Sequence, residues 1–237
     1  MSEITHTSWR RARTGEVKDV QRAQPLRVVA IDGPAGAGKT TLARLVAEHL
    51  GLETLDTGAM YRSVTYFALR RGIDPGDAEA VAELARDLVF QFGEPFEVEG
   101  TDITEAIRTP EVDAAVSVVA ANPEVRAAMV ARQREWMSER GGGVMEGRDI
   151  GTVVLPDAQL KIYLTASTDA RVRRRALERA REDLPAVARA LERRDRLDST
   201  RAASPLPTPE EVASDAVVID STGRDADEVF KEVLAWT

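Results

Sequence analysis

One loop, residues 33–40, constrains the fold of this chain more than any other part of its sequence. Gly33, Gly38, Lys39 and Thr40 match the phosphate-binding pattern G-x-x-x-x-G-K-[ST]. The apolar run before the loop predicts a buried parallel strand, and apolar residues at helical spacing after it predict a helix. Backbone N–H groups of such a loop, together with the helix N-terminus, form a cradle for anions. The stretch therefore predicts a strand-loop-helix unit that binds the phosphates of a nucleotide.

The motif also assigns roles to its residues. We expect Lys39 to reach the outer phosphates of ATP and the hydroxyl of Thr40 to bind the accompanying Mg²⁺. The segment 220–223 matches the D-x-x-G pattern of GTPases, but the sequence contains no N-K-x-D motif, which argues against guanine recognition. The residues expected around the ATP phosphates are Gly33, Pro34, Ala35, Gly36, Ala37, Gly38, Lys39, Thr40 and Thr41.

Composition excludes several other chemistries. The chain of 237 residues has no cysteine, so disulfides and zinc-thiolate sites are excluded. It has only two histidines, His6 and His49, which argues against a histidine-based triad or metal centre. A formal charge of -8 argues against a general nucleic-acid or membrane-binding surface. One segment departs from this balance, because residues 171–201 carry eleven arginines against six acidic residues.

The ends of the chain give weaker signals. Residues 1–25 mix charges with Thr, Gly and Pro and show no sustained period, so we expect a flexible tail. No stretch approaches the roughly 18 apolar residues of a membrane span, and the tail lacks the apolar core of a secretory signal. We therefore expect a cytoplasmic protein without membrane or nucleic-acid partners. No exposed apolar stripe is evident, so we also expect a monomer.

Five short apolar runs separated by helical patterns define the expected fold class. They lie at 26–31, 53–55, 144–146, 160–165 and 216–220. This alternation predicts a five-stranded parallel α/β sheet with helices on both faces, in which ligands bind beyond the strand C-termini. We expect a single domain over 26–237, with a core of 26–72 and 143–237.

The remaining segments form two additions to that core. Residues 73–142 read as a mostly helical insertion that includes a small hairpin around 93–95. Two of its helices are expected to begin at Pro110 and Pro123, because proline favours the first helical position. The Arg-rich segment, residues 171–201, is the expected lid.

Three stretches place polar groups directly after predicted strands, where such a sheet presents its site. They are 56–62, 147–149 and 194–201, and each contains an arginine. A guanidinium group grips phosphate oxygens bidentately and stays charged, which suits an enzyme that holds two phosphorylated substrates together.

The motifs resemble one family in particular. GPAGAGKTT at 33–41, LDTGAMYR at 55–62, IRTPEV at 107–112, GRDIGTVVLPDA at 147–158 and RDRLDSTRAASPL at 194–206 are similar to bacterial cytidylate kinases, in order and with plausible spacing. The resemblance implies the nucleoside monophosphate kinase fold of P-loop proteins, with a monophosphate-binding insertion and a mobile lid. It implies transfer of the γ-phosphoryl group of ATP to CMP or dCMP, with Mg²⁺ as the cofactor.

The resemblance also implies substrate-binding roles, carried over position by position. It implies a phosphate clamp formed by Arg62, Arg148 and Arg201. It implies cytosine recognition by Ser117, Arg126 and Asp149. Contacts to the sugar are implied for Arg194 and Asp198, and a hydroxyl near the acceptor for Thr57.

The expected chemistry needs no histidine. A phosphate oxygen is already largely anionic at pH 7, so alignment and charge neutralisation carry the reaction. The catalytic set expected on this basis is Lys39, Arg148, Arg171, Arg174 and Arg175. The last three share a helix face at i, i+3 and i+4. For Arg173, Arg179, Arg181 and Arg189 we favour a solvated helix face.

Two alternatives remain open from the residues alone. A kinase for another small acceptor, such as UMP, AMP or a sugar acid, would lack a reason for Arg126 and Asp149 at these places. A nucleotide-gated binding module would instead use ATP to switch a partner-facing surface, and it predicts slow hydrolysis independent of any acceptor.

Overall fold

The computed structural model describes residues 26–93, 95–178, 183–212 and 214–237. The predicted tail, residues 1–25, lies outside the described residues, as do Arg179 and Arg181 of the Arg-rich segment.

The main sheet has five parallel strands, which confirms the predicted fold class. The strands are β1 (Val28–Asp32), β2 (Thr54–Asp56), β6 (Gly143–Glu146), β7 (Leu160–Thr165) and β8 (Val217–Asp220). Their spatial order is β2-β6-β1-β7-β8, and every neighbouring pair is parallel. The first strand therefore lies in the middle, and the loop that follows it opens at the C-terminal edge of the sheet. This edge is where a doubly wound sheet binds its ligands.

Helices follow or connect these strands. Those in the described ranges are α1 (Lys39–Leu50), α2 (Thr57–Arg70), α3 (Ala78–Asp87), α4 (Pro110–Ala121), α5 (Pro123–Arg140), α6 (Thr168–Glu178), α7 (Leu184–Thr200), α8 (Pro209–Val212) and α9 (Ala226–Val233). Short 3₁₀ turns occupy Ala106–Arg108 and Leu234–Trp236, and a π-helical turn occupies Ile150–Val154.

The two helix starts predicted from proline are confirmed. Proline stands at the first turn of α4 and of α5, and the preceding residues, Thr109 and Asn122, cap the two helices with their side chains. Proline has no N–H to leave unsatisfied at this position, and the cap oxygens accept backbone N–H groups that have no partner within the helix. The cap at Thr109 fixes where α4 begins, and it therefore also fixes the position of Asp113 in the first turn of that helix.

The predicted hairpin is also present and has one more strand than expected. Strands β3 (Phe90–Gln91) and β4 (Glu97–Val98) pair antiparallel, and β5 (Thr101–Asp102) adds to β4. Each strand has only two residues, too few to give an alternating pattern. The third strand could therefore not be identified from the sequence.

The segment 73–142 packs on the main sheet rather than around a core of its own. One cluster of buried side chains includes Leu55 and Met145 of the sheet together with Val98, Ile107 and Trp136 of that segment. A second cluster, on the other face of the sheet, joins α1 and α9 to β1, β6 and β7. Burial of this apolar surface is the main force that fixes α4 and α5 relative to the loop after β1.

Within the described ranges, no single helix has the length and apolarity required to cross a membrane. The pair α4 and α5 passes that test only when taken together, and the two helices are bent by 93° at the break between them.

Candidate active site

The loop after β1 has the backbone conformation that its glycines predict. Gly33 has a φ of 143°, and a Cβ atom there would lie 2.0 Å from the carbonyl oxygen of Leu164 in β7. Gly38 has a φ of 99° and precedes the first residue of α1. Both conformations favour glycine, and the close approach at Gly33 leaves no room for another side chain. The loop can therefore present its backbone N–H groups in front of α1.

Lys39 is the first residue of α1 and also belongs to the motif at residues 33–40. Its Nζ donates a hydrogen bond to the carbonyl oxygen of Pro34 over 3.0 Å and lies 4.0 Å from Oε2 of Glu146. Burial lowers the pKa of Lys39, and the neighbouring Arg148 lowers it further. An anion placed against this ammonium group would restore its usual basicity.

Glu146, at the end of β6, is a site residue that we did not predict. The hydroxyl of Thr40 donates a hydrogen bond to its Oε1, and its side chain is buried beside Lys39. Burial, with Asp56 nearby, raises the pKa of this carboxyl group. An acidic residue at the C-terminal end of a strand beside β1 was the available signal.

The loop 147–154 carries Arg148 and Asp149. It is held against the phosphate-binding loop at residues 33–40, called the phosphate loop below. Both oxygens of Asp32 accept backbone hydrogen bonds, from Ile150 and from Gly151, each over 2.7 Å. Nη1 of Arg148 donates to the carbonyl oxygen of Gly33 over 3.0 Å. Asp32 is a second site residue that we did not predict. Its two carboxylate oxygens anchor the loop 147–154 through the backbone of Ile150 and Gly151.

Asp198 joins three of the residues predicted to bind the acceptor. Its Oδ2 accepts a hydrogen bond from Nε of Arg148 over 2.9 Å and lies 3.9 Å from Nε of Arg194. Its Oδ1 accepts from the hydroxyl of Ser117 over 3.2 Å. The arginines hold the pKa of this carboxyl group below its usual value despite burial. Asp198 therefore stays charged and orients groups from three different elements.

Asp149 makes a second buried carboxylate centre. Its Oδ2 accepts a hydrogen bond from Nη2 of Arg126, and its Oδ1 lies 3.7 Å from Nη2 of Arg201. All three residues are at most 9% exposed. The guanidinium of Arg126 also lies 5.6 Å from the centre of the Tyr61 ring. The predicted cytosine readers Arg126 and Asp149 are thus direct neighbours.

A third acidic centre, Asp113 in the first turn of α4, was not predicted. Nη2 of Arg62 donates to its Oδ1, and Nη2 of Arg175 donates to its Oδ2 over 2.7 Å. Nη1 of Arg194 lies 3.5 Å from Oδ1. Burial and the neighbouring arginines lower the pKa of Arg62 to about 10 and of Arg194 to about 9. Positive charge is therefore crowded at this end of the site.

Two buried arginine atoms lack a hydrogen-bond partner among the described residues. They are Nε of Arg194 and Nη2 of Arg201. A buried donor without a partner is costly, so such atoms are expected where a ligand supplies the acceptor. Both arginines lie in the stretch predicted to contact the acceptor.

Two predicted catalytic residues contact the outer side of the phosphate loop. Arg171 donates to the carbonyl oxygens of Ala35 over 3.2 Å and Ala166 over 3.1 Å, and pairs with Asp195 over 2.5 Å. Arg174 donates to the carbonyl oxygen of Ala37 over 3.1 Å and to Ser221. Neither lines the cavity described next, so in this conformation they support the loop.

One cavity of about 680 Å³ brings the other predicted site residues together. It extends from the phosphate loop to α4 and α7. Its lining includes Ala35, Gly36, Gly38, Lys39, Thr40, Thr41, Thr57, Arg62, Ser117, Arg126, Arg148, Asp149, Arg175, Arg194, Asp198 and Arg201. Gly33, Pro34 and Ala37 do not line it. The three arginine-containing stretches predicted from the sequence therefore converge on the phosphate loop.

The sequence model of the cytidylate kinase family matches residues 29–237. The chain belongs to the cytidylate kinase family. A cytidylate kinase of Solibacter usitatus is 49% identical over 214 residues, which cover 87% of this chain and 90% of that protein. A cytidylate kinase of Desulforamulus reducens is 49% identical over 218 residues, covering 89% and 96%. The family resemblance predicted from the motifs is confirmed, and with it the assignment to ATP-dependent nucleoside monophosphate kinases.

Other matches differ in length or only share the fold. A bifunctional pantoate ligase/cytidylate kinase of Synechococcus sp. (strain RCC307) is 49% identical over 221 residues, and the chain spans 42% of that protein. Among solved structures, an uncharacterized protein from Eubacterium ventriosum superposes with a TM-score of 0.53 at 11% identity, over 89% of this chain and 97% of that one. This structural similarity concerns the fold alone.

Proposed function

We propose that the chain transfers the γ-phosphoryl group of ATP to CMP or dCMP, giving ADP and CDP or dCDP. The observation that carries the proposal is the cavity in which the phosphate loop faces the convergent arginines. A kinase must hold a donor and an acceptor phosphate in line, and this cavity has a cationic group for each. The relatives from Solibacter usitatus and Desulforamulus reducens, which align over nearly their whole length, are named cytidylate kinases. Their names support cytidine monophosphate as the acceptor.

The donor end of the cavity would hold the triphosphate. Lys39 would balance charge on the outer phosphates, while the backbone N–H groups of the loop bind their oxygens. Thr40 and Glu146 fit a Mg²⁺ ion, since they are adjacent oxygen donors and Mg²⁺ favours one or two carboxylates together with phosphates and water. When bound, this ion supplies charge neutralisation on the transferred group.

The acceptor end would hold the monophosphate. We assign Arg62, Arg148 and Arg201 to its phosphate, since Nη2 of Arg201 has no hydrogen-bond partner among the described residues and can donate to a phosphate oxygen. Arg194 and Asp198 would contact the sugar, and Thr57 would lie near the acceptor. Thr57 itself is fixed by donating to the carbonyl oxygen of Glu146 over 2.7 Å.

The base would be read by Ser117, Arg126 and Asp149. Cytosine has an exocyclic amino group that needs an acceptor, which Asp149 supplies, and O2 and N3 atoms that need donors. The attacking phosphate oxygen is anionic, so no side chain has to remove a proton from it. Catalysis then rests on alignment and on charge neutralisation, in which Arg171, Arg174 and Arg175 would assist when the Arg-rich segment moves.

The test is ADP release from Mg-ATP in a coupled optical assay, with CMP, dCMP, UMP, AMP and shikimate offered separately. We expect fast turnover with CMP and dCMP and little with the others. Lys39→Ala serves as the control and should lose activity by orders of magnitude. Slow, acceptor-independent hydrolysis would instead favour the nucleotide-gated binding module, and turnover with another acceptor would reassign the base-reading residues.

A further inference from the structure

Asp113 occupies a part of the cavity where three arginines lie close together. Its two carboxylate oxygens contact Arg62 of α2, Arg175 of α6 and Arg194 of α7. These three arginines come from three separate elements, and all line the same cavity. Asp113 therefore connects α4 to the Arg-rich segment through charge-assisted hydrogen bonds, which are stronger than neutral ones.

A carboxylate in this position resembles a phosphate group in one respect, because both are anions whose oxygens arginine binds. Arginine binds carboxylate and phosphate oxygens with the same planar pair of donors. An acceptor phosphate that engaged Arg62 would meet Asp113 as a like charge on the same guanidinium group. The two anions cannot both keep close contact with it, because like charges at such distances repel.

We propose that Asp113 is an internal competitor of the acceptor phosphate, and that it sets the affinity of the site for the phosphate group. In the ligand-free enzyme its carboxylate satisfies Arg62, Arg175 and Arg194 and holds α4 against the Arg-rich segment. The incoming phosphate takes over Arg62, the one of these three arginines assigned to it above, and so displaces the carboxylate of Asp113 from that guanidinium group. Asp113 thereby weakens acceptor binding and keeps the ligand-free site ordered. This inference deepens the proposed function and rests on it, because the acceptor phosphate is taken as the displacing group.

The test compares Asp113→Asn with the wild type by calorimetric titration with CMP, cytidine and inorganic phosphate. Removal of the competing charge should tighten CMP binding about tenfold. Cytidine has no phosphate, so its affinity should not change. In steady-state assays the KM for CMP should fall while the KM for ATP stays constant, a separation that a general loss of structure would not produce.

Glu111→Gln is the matched control. Glu111 lies in the same first turn of α4 and is exposed, so its substitution removes the same favourable charge from the helix N-terminus without touching the cavity. We expect wild-type affinities for all three ligands. If Asp113→Asn fails to fold, Asp113→Ser repeats the test, because it also keeps a hydrogen-bonding group and loses the charge.

The outcomes separate the inference from the proposed function. Weaker CMP binding by the Asp113 variants, or equal tightening for cytidine, would overturn the inference, since Asp113 would then position the arginines rather than compete for them. If the wild type neither binds nor phosphorylates CMP, the proposed function fails. Tighter binding of inorganic phosphate by Asp113→Asn would still support competition at the arginines in that case.

Discussion

Arg148 donates a hydrogen bond to the carbonyl oxygen of Gly33 and so connects the phosphate loop to α7. Its Nη1 donates to the carbonyl oxygen of Gly33 over 3.0 Å while its Nε donates to Asp198 over 2.9 Å. One rigid guanidinium group thus fixes the distance between the phosphate loop and α7. Arginine is suited to this task, because its donors point in fixed directions within one plane.

Arg148→Lys tests this bridge. A lysine carries the same charge but has one ammonium group on a flexible stem, so it cannot hold both partners in the same geometry. We expect kcat to fall about 100-fold, as a displacement of about 1 Å can cause. Arg140→Lys is the control, because Arg140 pairs with the exposed Glu53 away from the cavity. Near-normal kcat for Arg148→Lys would show that charge alone is required.

Glu146→Gln tests the role of the acidic residue beside Thr40. Glutamine can still accept the hydrogen bond from the Thr40 hydroxyl, but it has lost the charge that would attract Mg²⁺. We expect the Mg²⁺ concentration for half-maximal activity to rise about tenfold, measured at saturating ATP and acceptor. Glu53→Gln, at an exposed position, should behave as the wild type. An unchanged Mg²⁺ requirement would remove Glu146 from the ion site.

Asp32 gives a prediction about pH. Burial raises its pKa from 3.8 to about 6, although the backbone N–H groups of Gly151 and Ile150 oppose the shift. The folded state therefore binds more protons than the unfolded state between those two values. The contribution of Asp32 to the free energy of unfolding should accordingly fall as the pH rises through this window and should level off above about 6.

Asp32→Asn removes this titration. Urea unfolding of the wild type and the variant at several pH values measures the difference in their free energies of unfolding. That difference should shift against the wild type by up to about 3 kcal/mol between pH 4 and 7. Asp157→Asn, at an exposed position, is the control and should keep a constant difference. Parallel curves for Asp32→Asn would show that burial does not control the ionisation of Asp32.

Asp149→Asn tests base selection. UMP presents an acceptor oxygen where CMP presents an amino group, and an asparagine can offer its own amino group to that oxygen. We expect the ratio of kcat/KM for CMP to that for UMP to fall at least about tenfold, since one hydrogen-bonded base contact contributes about 1–3 kcal/mol. Because both rates come from one protein, losses caused by breaking the contact with Arg126 cancel in the ratio. An unchanged ratio would exclude Asp149 from base reading.

The sequence identified most of the basic groups of this site and few of their acidic partners. Motifs revealed the loop and the arginines, because each is encoded within a few consecutive residues. Asp113 contacts Arg62, Arg175 and Arg194, which lie 51, 62 and 81 residues away along the chain. Nothing local to Asp113 distinguishes it from an ordinary acidic residue in a first helical turn. Only the packing of α2, α4, α6 and α7 together brings these groups into contact.

The arginines of α6 show a similar limit to what the sequence can predict. Spacing predicts one shared face of α6 for Arg171, Arg174 and Arg175. Arg171 and Arg174 both contact the phosphate loop, whereas Arg175 donates to Asp113 in the cavity. Spacing does not specify which side of the loop they meet. That depends on how α6 packs on α7 through Val172, Ala176 and Leu191, which is a tertiary contact.

Gly33→Ala tests how tightly the loop is packed against the sheet. At Gly33 an added Cβ would lie 2.0 Å from the carbonyl oxygen of Leu164, in a backbone conformation with φ of 143° that alanine rarely adopts. The contact cannot relax without moving β7, and the conformation is strained for alanine whatever the space. We therefore expect a loss of more than about 3 kcal/mol in the free energy of unfolding or failure to fold.

Gly51→Ala provides the matched comparison for that substitution. Gly51 ends α1 with a φ of 65°, and no atom lies within 4 Å of an added Cβ. Conformation is then its only cost, and about 1 kcal/mol is expected by urea unfolding. Equal losses at the two positions would mean that the contact with β7 contributes nothing. A much larger loss at Gly33 would show that this strand holds the phosphate loop in its binding conformation before any nucleotide arrives.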